Sequence, residues 1–341
     1  MAFSFARNER IFLQKETAFG TIPNTSGTAT VAGSNCCRHI KAALTPEVAL
    51  LVRQDKTGSR TMTAGVAGRK TGKWSLEMSL AGNGAPGVVP DCDPVLAALF
   101  GADGVVVAGT SVTYSLADVI KSFSLWSLRT PVAVMQRVAF GCVVSEATFQ
   151  LGQDIATLQA NGECVWVLDS VNLATTDTEG KGGLTAWPNT QTIYDAAVTN
   201  GGIIAGFTGQ ATFDGNLLAN IRTATLKIGT GNAIVKDTFG KYYGDTAEGD
   251  VRNVSLAFSL YDDDQTGTTN LYQKAIAKTP INVTLQIGTV TGNKWTFTVN
   301  GVQLAVPNLD DGQRRWSATF GDSQASGSSL TALDEVSLVI T

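Results

Sequence analysis

The chain has 341 residues, enough for two domains of ordinary size that each bury a core. Hydrophobic residues make up 43% and charged residues 16%, which excludes a disordered chain, and the net charge of −4 excludes the positive excess of a nucleic-acid binder. Gly reaches 36, and Gly-rich turns between Val- and Thr-containing runs point to a mostly-β fold.

Five cysteines with no regular spacing, two of them adjacent at Cys36 and Cys37, read as free thiols folded in a reducing compartment. The first ten residues are broken by Arg7, Glu9 and Arg10 and hold no apolar core of a secretory signal. No apolar run has the length of a membrane span, so no membrane anchor is expected.

Residues 1–35 are expected to form an extended arm. Phe12, Leu13 and Phe19 are its apolar anchors, suited to packing on the body or on a neighbouring subunit; a loose terminus is the alternative. A turn signal runs from Gly20 to Asn24, and 25–35 reads as an exposed loop. Strands follow over 38–54. A polar, Gly-rich stretch from Asp55 to Lys73, carrying Lys56, Arg60, Arg69, Lys70 and Lys73, reads as a long hairpin loop.

Asp93 to Gly101 predicts a short helix, with Asp as cap, Pro94 at its first position and Gly101 beyond its end; Leu96, Leu99 and Phe100 share one face. Strands resume at Phe123–Leu128, and Ala147–Leu151 with Ile155–Ala160 forms a hairpin. Residues 169–205 are polar and Gly-rich and read as a connection between domains. The second half predicts a helix from an Asn270 cap to Lys278, with Leu271, Ala275 and Ile276 inward. Ile281–Ile287 alternates as a half-buried strand, with Ile281, Val283 and Leu285 inward. Trp295–Val299 and Val302–Val306 flank an Asn300-Gly301 hairpin turn, and a last strand runs over 335–340.

The two halves resemble each other. Ile40-Lys41-Ala42-Ala43 lines up with Ile221-Arg222-Thr223-Ala224, and Trp74–Leu80 with Val254–Leu260. This pattern divides the chain into an arm (1–35), a first domain (36–168), a connection (169–205) and a second domain (206–341). Ala147–Gly152 also resembles Ala224–Gly229, which leaves the repeat register open. In the second half the counterpart of the basic loop carries Lys241, Tyr242, Tyr243, Asp245, Glu248 and Asp250. Opposite charge on equivalent loops suits protein–protein contact; a solvated flap is the alternative.

Chemistry is sparse. The single histidine, His39, would have to serve any triad or Cys-His pair, and no zinc-ligand spacing occurs. Gly82–Gly87 matches a dinucleotide-binding fingerprint in letters only, because Pro86 and Pro90 break the helix that must follow, and Gly72-Lys73 is followed by Trp74 rather than Ser or Thr. Asp262-Asp263-Asp264 opens like a calcium loop, but its twelfth position is Gln273. Neither a cofactor nor a catalytic set is expected.

Lys15-Glu16-Thr17-Ala18-Phe19-Gly20-Thr21-Ile22-Pro23 resembles the arm phrase, Lys-Glu-Thr-x-aromatic-Gly-Thr-x-Pro, of the bacteriophage major tail tube protein family. Lys73–Leu80 followed by Asp93–Gly101 resembles the family's strand and short apolar helix. The resemblance implies β-sandwich or barrel domains, each with a flanking helix, in rings whose inner strands close one β-barrel. Stacked rings would form the tail tube of the virion, assembled in the host cytoplasm, with genomic DNA passing through the lumen without specific binding. Fused pairs in the family build trimers of pseudo-sixfold symmetry. The implied partners are the chain itself, the tape measure, and the tail terminator and distal tail proteins. The loop residues above would join successive rings, and polar faces such as Asn282, Thr284 and Gln286 would suit the lumen. The competing reading is a two-domain β-sandwich that binds carbohydrate or a receptor; it requires exposed aromatics, whereas the six Trp fall mostly inside strands.

Overall fold

The computed structural model describes residues 5–53, 64–131, 134–152, 154–174, 182–196, 202–264, 266–312, 314–329 and 331–341. The first half holds β1 (Glu9–Lys15), β2 (Asn24–Thr25), β3 (Thr28–Ala29), β4 (Cys36–Cys37), β5 (Lys41–Leu51), β6 (Val66–Ser79), α1 (Asp93–Phe100), β7 (Val105–Val107) and β8 (Ser111–Ser115). It continues with β9 (Phe123–Arg129), β10 (Arg137–Cys142), β11 (Glu146–Leu151), β12 (Thr157–Cys164) and β13 (Trp166–Asp169), and α2 (Thr190–Asp195) lies in the connection. The second half holds β14 (Gln210–Phe213), β15 (Asn216–Leu218), β16 (Ile221–Gly229), β17 (Ala233–Ile234), β18 (Ala247–Glu248), β19 (Asn253–Tyr261), α3 (Thr266–Ala277), β20 (Ile281–Ile287), β21 (Trp295–Gln303), β22 (Asn308–Asp310), β23 (Ser317–Ala325) and β24 (Val336–Ile340).

One run of hydrogen-bonded strands crosses both halves in the order β5-β6-β12-β11-β16-β19-β23-β22. All neighbours are antiparallel, so one face can be buried and the other left polar. The buried face carries Trp74, Leu76, Phe149, Leu158, Leu226, Leu256 and Phe258. Each half backs this run with a second layer. In the first half the order is β4-β1-β9-β10-β13, and in the second β15-β14-β20-β21-β24, which continues through β8 and β7 of the first half. Aromatic contacts knit the layers: Trp74 meets Phe123 edge-on at 5.1 Å, and Phe149 meets Phe297 at 4.8 Å.

Several expectations change. The arm is not a separate appendage: β1 lies between β4 and β9, and Phe12 and Leu13 are buried on its two faces. Phe19 is half-buried against the core. Strand β9 is buried on both faces, since the outer side of its sheet is covered by Ile22, Ala29 and Val31 of the arm and by Leu184 and Ile193 of the connection. The expected loop 55–73 is a strand from Val66 onward, which with β5 forms a long hairpin. Helix α3 begins at Thr266, so Asn270 is interior rather than a cap, and Ile276 faces solvent. Asn300-Gly301 is no turn. Strand β21 runs through it, and Gly301, at φ 64, lets the strand exchange β24 for β23, through Val302 and Gln303, while Val302 still lies opposite Ile281 of β20.

The strand registers also revise the residue-level match between the halves. Leu76 lies opposite Ala42, and Leu256 opposite Leu226. With Trp74–Leu80 set on Val254–Leu260, Ala42 takes the place of Leu226, three residues from the alignment of 40–43 with 221–224. An odd slip turns every side chain to the other face, and that alignment would set outward Ala43 on inward Ala224.

The arm phrase works as a latch. Glu16 accepts hydrogen bonds from Ser122 Oγ (2.6 Å), Ser124 Oγ (2.6 Å), Gly141 N–H (2.8 Å) and Gly20 N–H (3.0 Å). Gly20 and Gly141 have φ of 69° and 60°, and a Cβ on Gly141 would lie 2.4 Å from Val165 Cγ2. Lys15 Nζ bridges Asp93 (2.7 Å) and Asp103 (3.0 Å), tying β1 to the start of α1. Burial pushes the Glu16 carboxyl above its usual 4.5, outweighing the four donors that favour its charge. The folded state then holds this proton more tightly than the unfolded chain, so stability falls as pH rises from 4.5 through the folded value and levels off above it. Glu16→Gln removes this dependence. Its Tm measured against wild type should rise with pH across that window, and a pH-independent difference would refute the assignment.

Candidate functional site

The outward face of the eight-stranded run is its largest built feature. It carries Ser75, Thr148, Gln159, Asn161, Thr223 and Ser259, each alternating with a buried apolar neighbour. Thr223 and Ser259 hydroxyls meet at 2.7 Å across strands. Its lysines face carboxylates: Lys73 lies 3.0 Å from Glu47, Lys227 lies 2.8 Å from Glu146, and Lys41 stands opposite Glu77. Asn282, Thr284 and Gln286 do not belong to this face. They lie on β20, in the second layer, although Ile281, Val283 and Leu285 are buried as expected.

The run has two open edges. Among the described residues, β5 pairs on one side only, with β6, and β22 pairs only with β23. Open antiparallel edges present unpaired N–H and C=O groups that accept another strand. Between them, the seam joining the halves is β11 on β16, six residue pairs from Glu146↔Gly229 to Leu151↔Ala224. These are the two segments whose similarity left the repeat register open.

At one end of the run the hairpin of β5 and β6 stands beyond its neighbours and exposes Val48, Leu50, Leu51 and Val66. The 230–252 loop of the second half folds across the seam onto the base of this hairpin. Arg69 donates from Nη2 to Thr238 O (3.0 Å), Lys70 N–H donates to Tyr242 O (2.9 Å), and Lys70 Nζ donates to the Tyr243 hydroxyl (3.1 Å). Lys70 Nζ also lies 5.7 Å from the Trp166 ring centre and 5.4 Å from that of Tyr243. Lys236 bonds Glu163, whose other oxygen accepts Ile234 N–H at 2.9 Å. The predicted contact residues therefore separate. Arg69, Lys70 and Tyr243 form a brace within the chain, and Lys73 lies on the polar face. Lys241, Tyr242, Asp245, Glu248 and Asp250 are exposed, with Phe239 (99% exposed) and Val251 beside them. Arg60 lies outside the described residues. The brace drew no sequence signal, because its partners are over a hundred residues apart.

The residues considered for chemistry have structural surroundings. His39 Nε2 is 3.9 Å from Glu9, and burial lowers its pKa. Cys37 is buried and its thiol is pushed up by burial, the opposite of an activated nucleophile. Asp263 accepts from Thr268 Oγ1 (2.5 Å) and Asn220 Nδ2 (3.0 Å) at the start of α3. No helix among the described residues is long and apolar enough to cross a membrane.

Fold and surface together define a mostly-β protein: paired two-layer units sharing one polar-faced sheet with open edges. A family model described as phage tail tube protein matches residues 6–329, and the chain belongs to that family. It is thus a structural protein of the bacteriophage virion, with its place in the tail. No curated protein matches the chain.

The brace predicts a local effect. Tyr243→Ala removes a ring 6.0 Å from Trp166 and the partner of Lys70. Trypsin should then cut after Lys241 several-fold faster in the folded protein, with global stability lowered by about 1–2 kcal/mol. Unchanged cleavage would show that the loop is held elsewhere.

Proposed function

We propose that the chain is a fused pair of tube domains, three copies of which close a ring that stacks into the tail tube and conducts the genome. The observation that carries this is the eight-stranded run with an open edge at each end. The second half repeats the pairing order of the first: β16-β19-β23-β22 against β5-β6-β12-β11, and β15-β14-β20-β21-β24 against β4-β1-β9-β10-β13, with one helix in the same place. Three chains of eight strands then form one closed barrel, which removes both edges that the run leaves open in an isolated subunit. A heterologous contact that closes by rotation gives a ring rather than a filament.

On this reading the polar face lines the lumen and β20 lies on the outer wall. The carboxylates beside Lys73 and Lys227 limit phosphate contact, so DNA passes without specific binding. The domains divide as read from the sequence, except that β1 completes the sheet of the first domain. Rings meet through the exposed apolar residues of β5 and β6, Leu50 and Leu51 among them, and the exposed part of the 237–251 loop. The tape measure would fill the lumen during assembly in the host cytoplasm, with the terminator and distal tail proteins at the two ends. A carbohydrate-binding module is disfavoured, because Trp74, Trp126 and Trp295 are buried and only Trp316 is more than half exposed.

Negative-stain microscopy of the purified protein should show rings or tubes with a central channel, and native mass should give three 35.7-kDa chains per ring. A strict monomer at high concentration, with or without virion-derived tail tips as initiators, would refute the reading. Leu50→Glu combined with Leu51→Glu should leave folded subunits and rings but shorten tubes at least several-fold. Tubes of unchanged length would remove the hairpin from the stacking contact.

A further inference from the structure

We infer that chains join in one defined register: β22 of one copy adds antiparallel to β5 of the next, with Leu309 opposite Ile40 and Asn308 opposite Lys41. This rests on the ring reading above and specifies which residues meet. The junction is already drawn once inside each chain. There β11 pairs with β16, with Leu151 opposite Ala224 and Gln150 opposite Thr225. Strand β22 holds beside β23 the place that β11 holds beside β12, and β5 holds beside β6 the place of β16 beside β19.

Neighbouring registers carry the equivalence residue by residue. Ala42 stands where Leu226 stands, so Ile40 takes the place of Ala224. At the other edge, Leu158 lies opposite Met78 and Phe320 opposite Phe258, which makes Leu158 and Phe320 equivalent. Thr157 then faces Gln150, and Thr319 faces Asn308. Asn308 therefore takes the place of Gln150, and Leu309 that of Leu151.

Exposure supports the match independently of this construction. Leu151 and Ala224 meet at the internal seam and are 8% and 5% exposed. Their equivalents, Leu309 and Ile40, are 55% and 56% exposed, each at an open edge. Alternation turns both toward the core side of the sheet, so joining the edges buries each against the other. On the opposite face Asp310 becomes the diagonal neighbour of Lys41, within reach of a long side chain. Pro307 has no N–H to donate and confines the ladder to a short run, which limits slippage.

Cysteine pairs test the register, because antiparallel neighbours lie within disulfide range. The described native cysteines are all buried, and Leu309 and Ile40 are exposed, so the variants should fold as wild type does. Assembled Leu309→Cys/Ile40→Cys protein, oxidised and run without reductant, should give chain-to-chain cross-links in most molecules. Leu309→Cys/Ala43→Cys, the pairing that the direct alignment of 40–43 with 221–224 would demand, should give at least tenfold less. Rings that cross-link in the control pair, or in neither pair, overturn the register and leave the ring reading standing. Protein that forms no ring under the microscope, with wild-type controls equally unassembled, overturns the ring reading and the register with it.

Discussion

The backbone ladder between β11 and β16 is the constraint on which the rest of the molecule depends. It makes two sandwiches into one object by running a single sheet through both, so the halves cannot swing as domains on a linker would. Buried side chains from both halves fill one continuous core beneath the seam, Phe149 of the first half meeting Phe297 of the second. Beside it, at the base of the β5–β6 hairpin, the 230–252 loop crosses the boundary and is held by Lys70 and Glu163. The seam is thus fixed by ladder, core and brace together, and a lateral contact that a subunit assembly would make between chains is here made by covalent connection.

Much of the layered plan is legible in the sequence where period-two alternation meets a one-sided environment. Ile281–Ile287 is the clearest case, with its odd positions buried. The helix at Asp93 is legible for another reason: Pro94 presets its first turn and Gly101, at φ 74, ends it where a Cβ would strike Ala117 O at 2.5 Å. Legibility fails where a residue has two uses. Asn-Gly marks a hairpin turn, yet at 300–301 the positive φ of the glycine bends a strand from one neighbour, β24, to another, β23, without reversing it. Val66–Lys73 reads as loop because its buried positions, 68 and 72, are glycines, and the groups that hold Arg69 and Lys70 come from a distant loop, so no apolar alternation marks the strand.

The polar face shows the same limit at the level of function. Its residues are ordinary Ser, Thr, Asn and Gln, and each strand shows only that half its side chains are wet. That eight such half-strands form one surface depends on pairing order, which no single strand encodes. The latch at Glu16 is intermediate. Its phrase is visible and family-like, while its physical content, a buried carboxylate holding two hydroxyls and two positive-φ glycines, needs Ser122, Ser124 and Gly141 from over a hundred residues away.

On the proposed reading, fusion also frees the halves to differ, and they do so at equivalent places. Strands β5 and β6 project with Val48, Leu50, Leu51 and Val66 outward, whereas the connection between β16 and β19 is folded down, with β17 and β18 paired and Tyr243 buried. The folded loop strengthens the internal seam, which needs no specificity because its partner is always present. The projecting hairpin includes β5, the edge that meets a separate chain in the proposed ring. A homomeric domain would have to serve both purposes with one loop. Here each half carries one of them, so the surface at this end of the strands repeats once per chain while the sheet itself repeats twice.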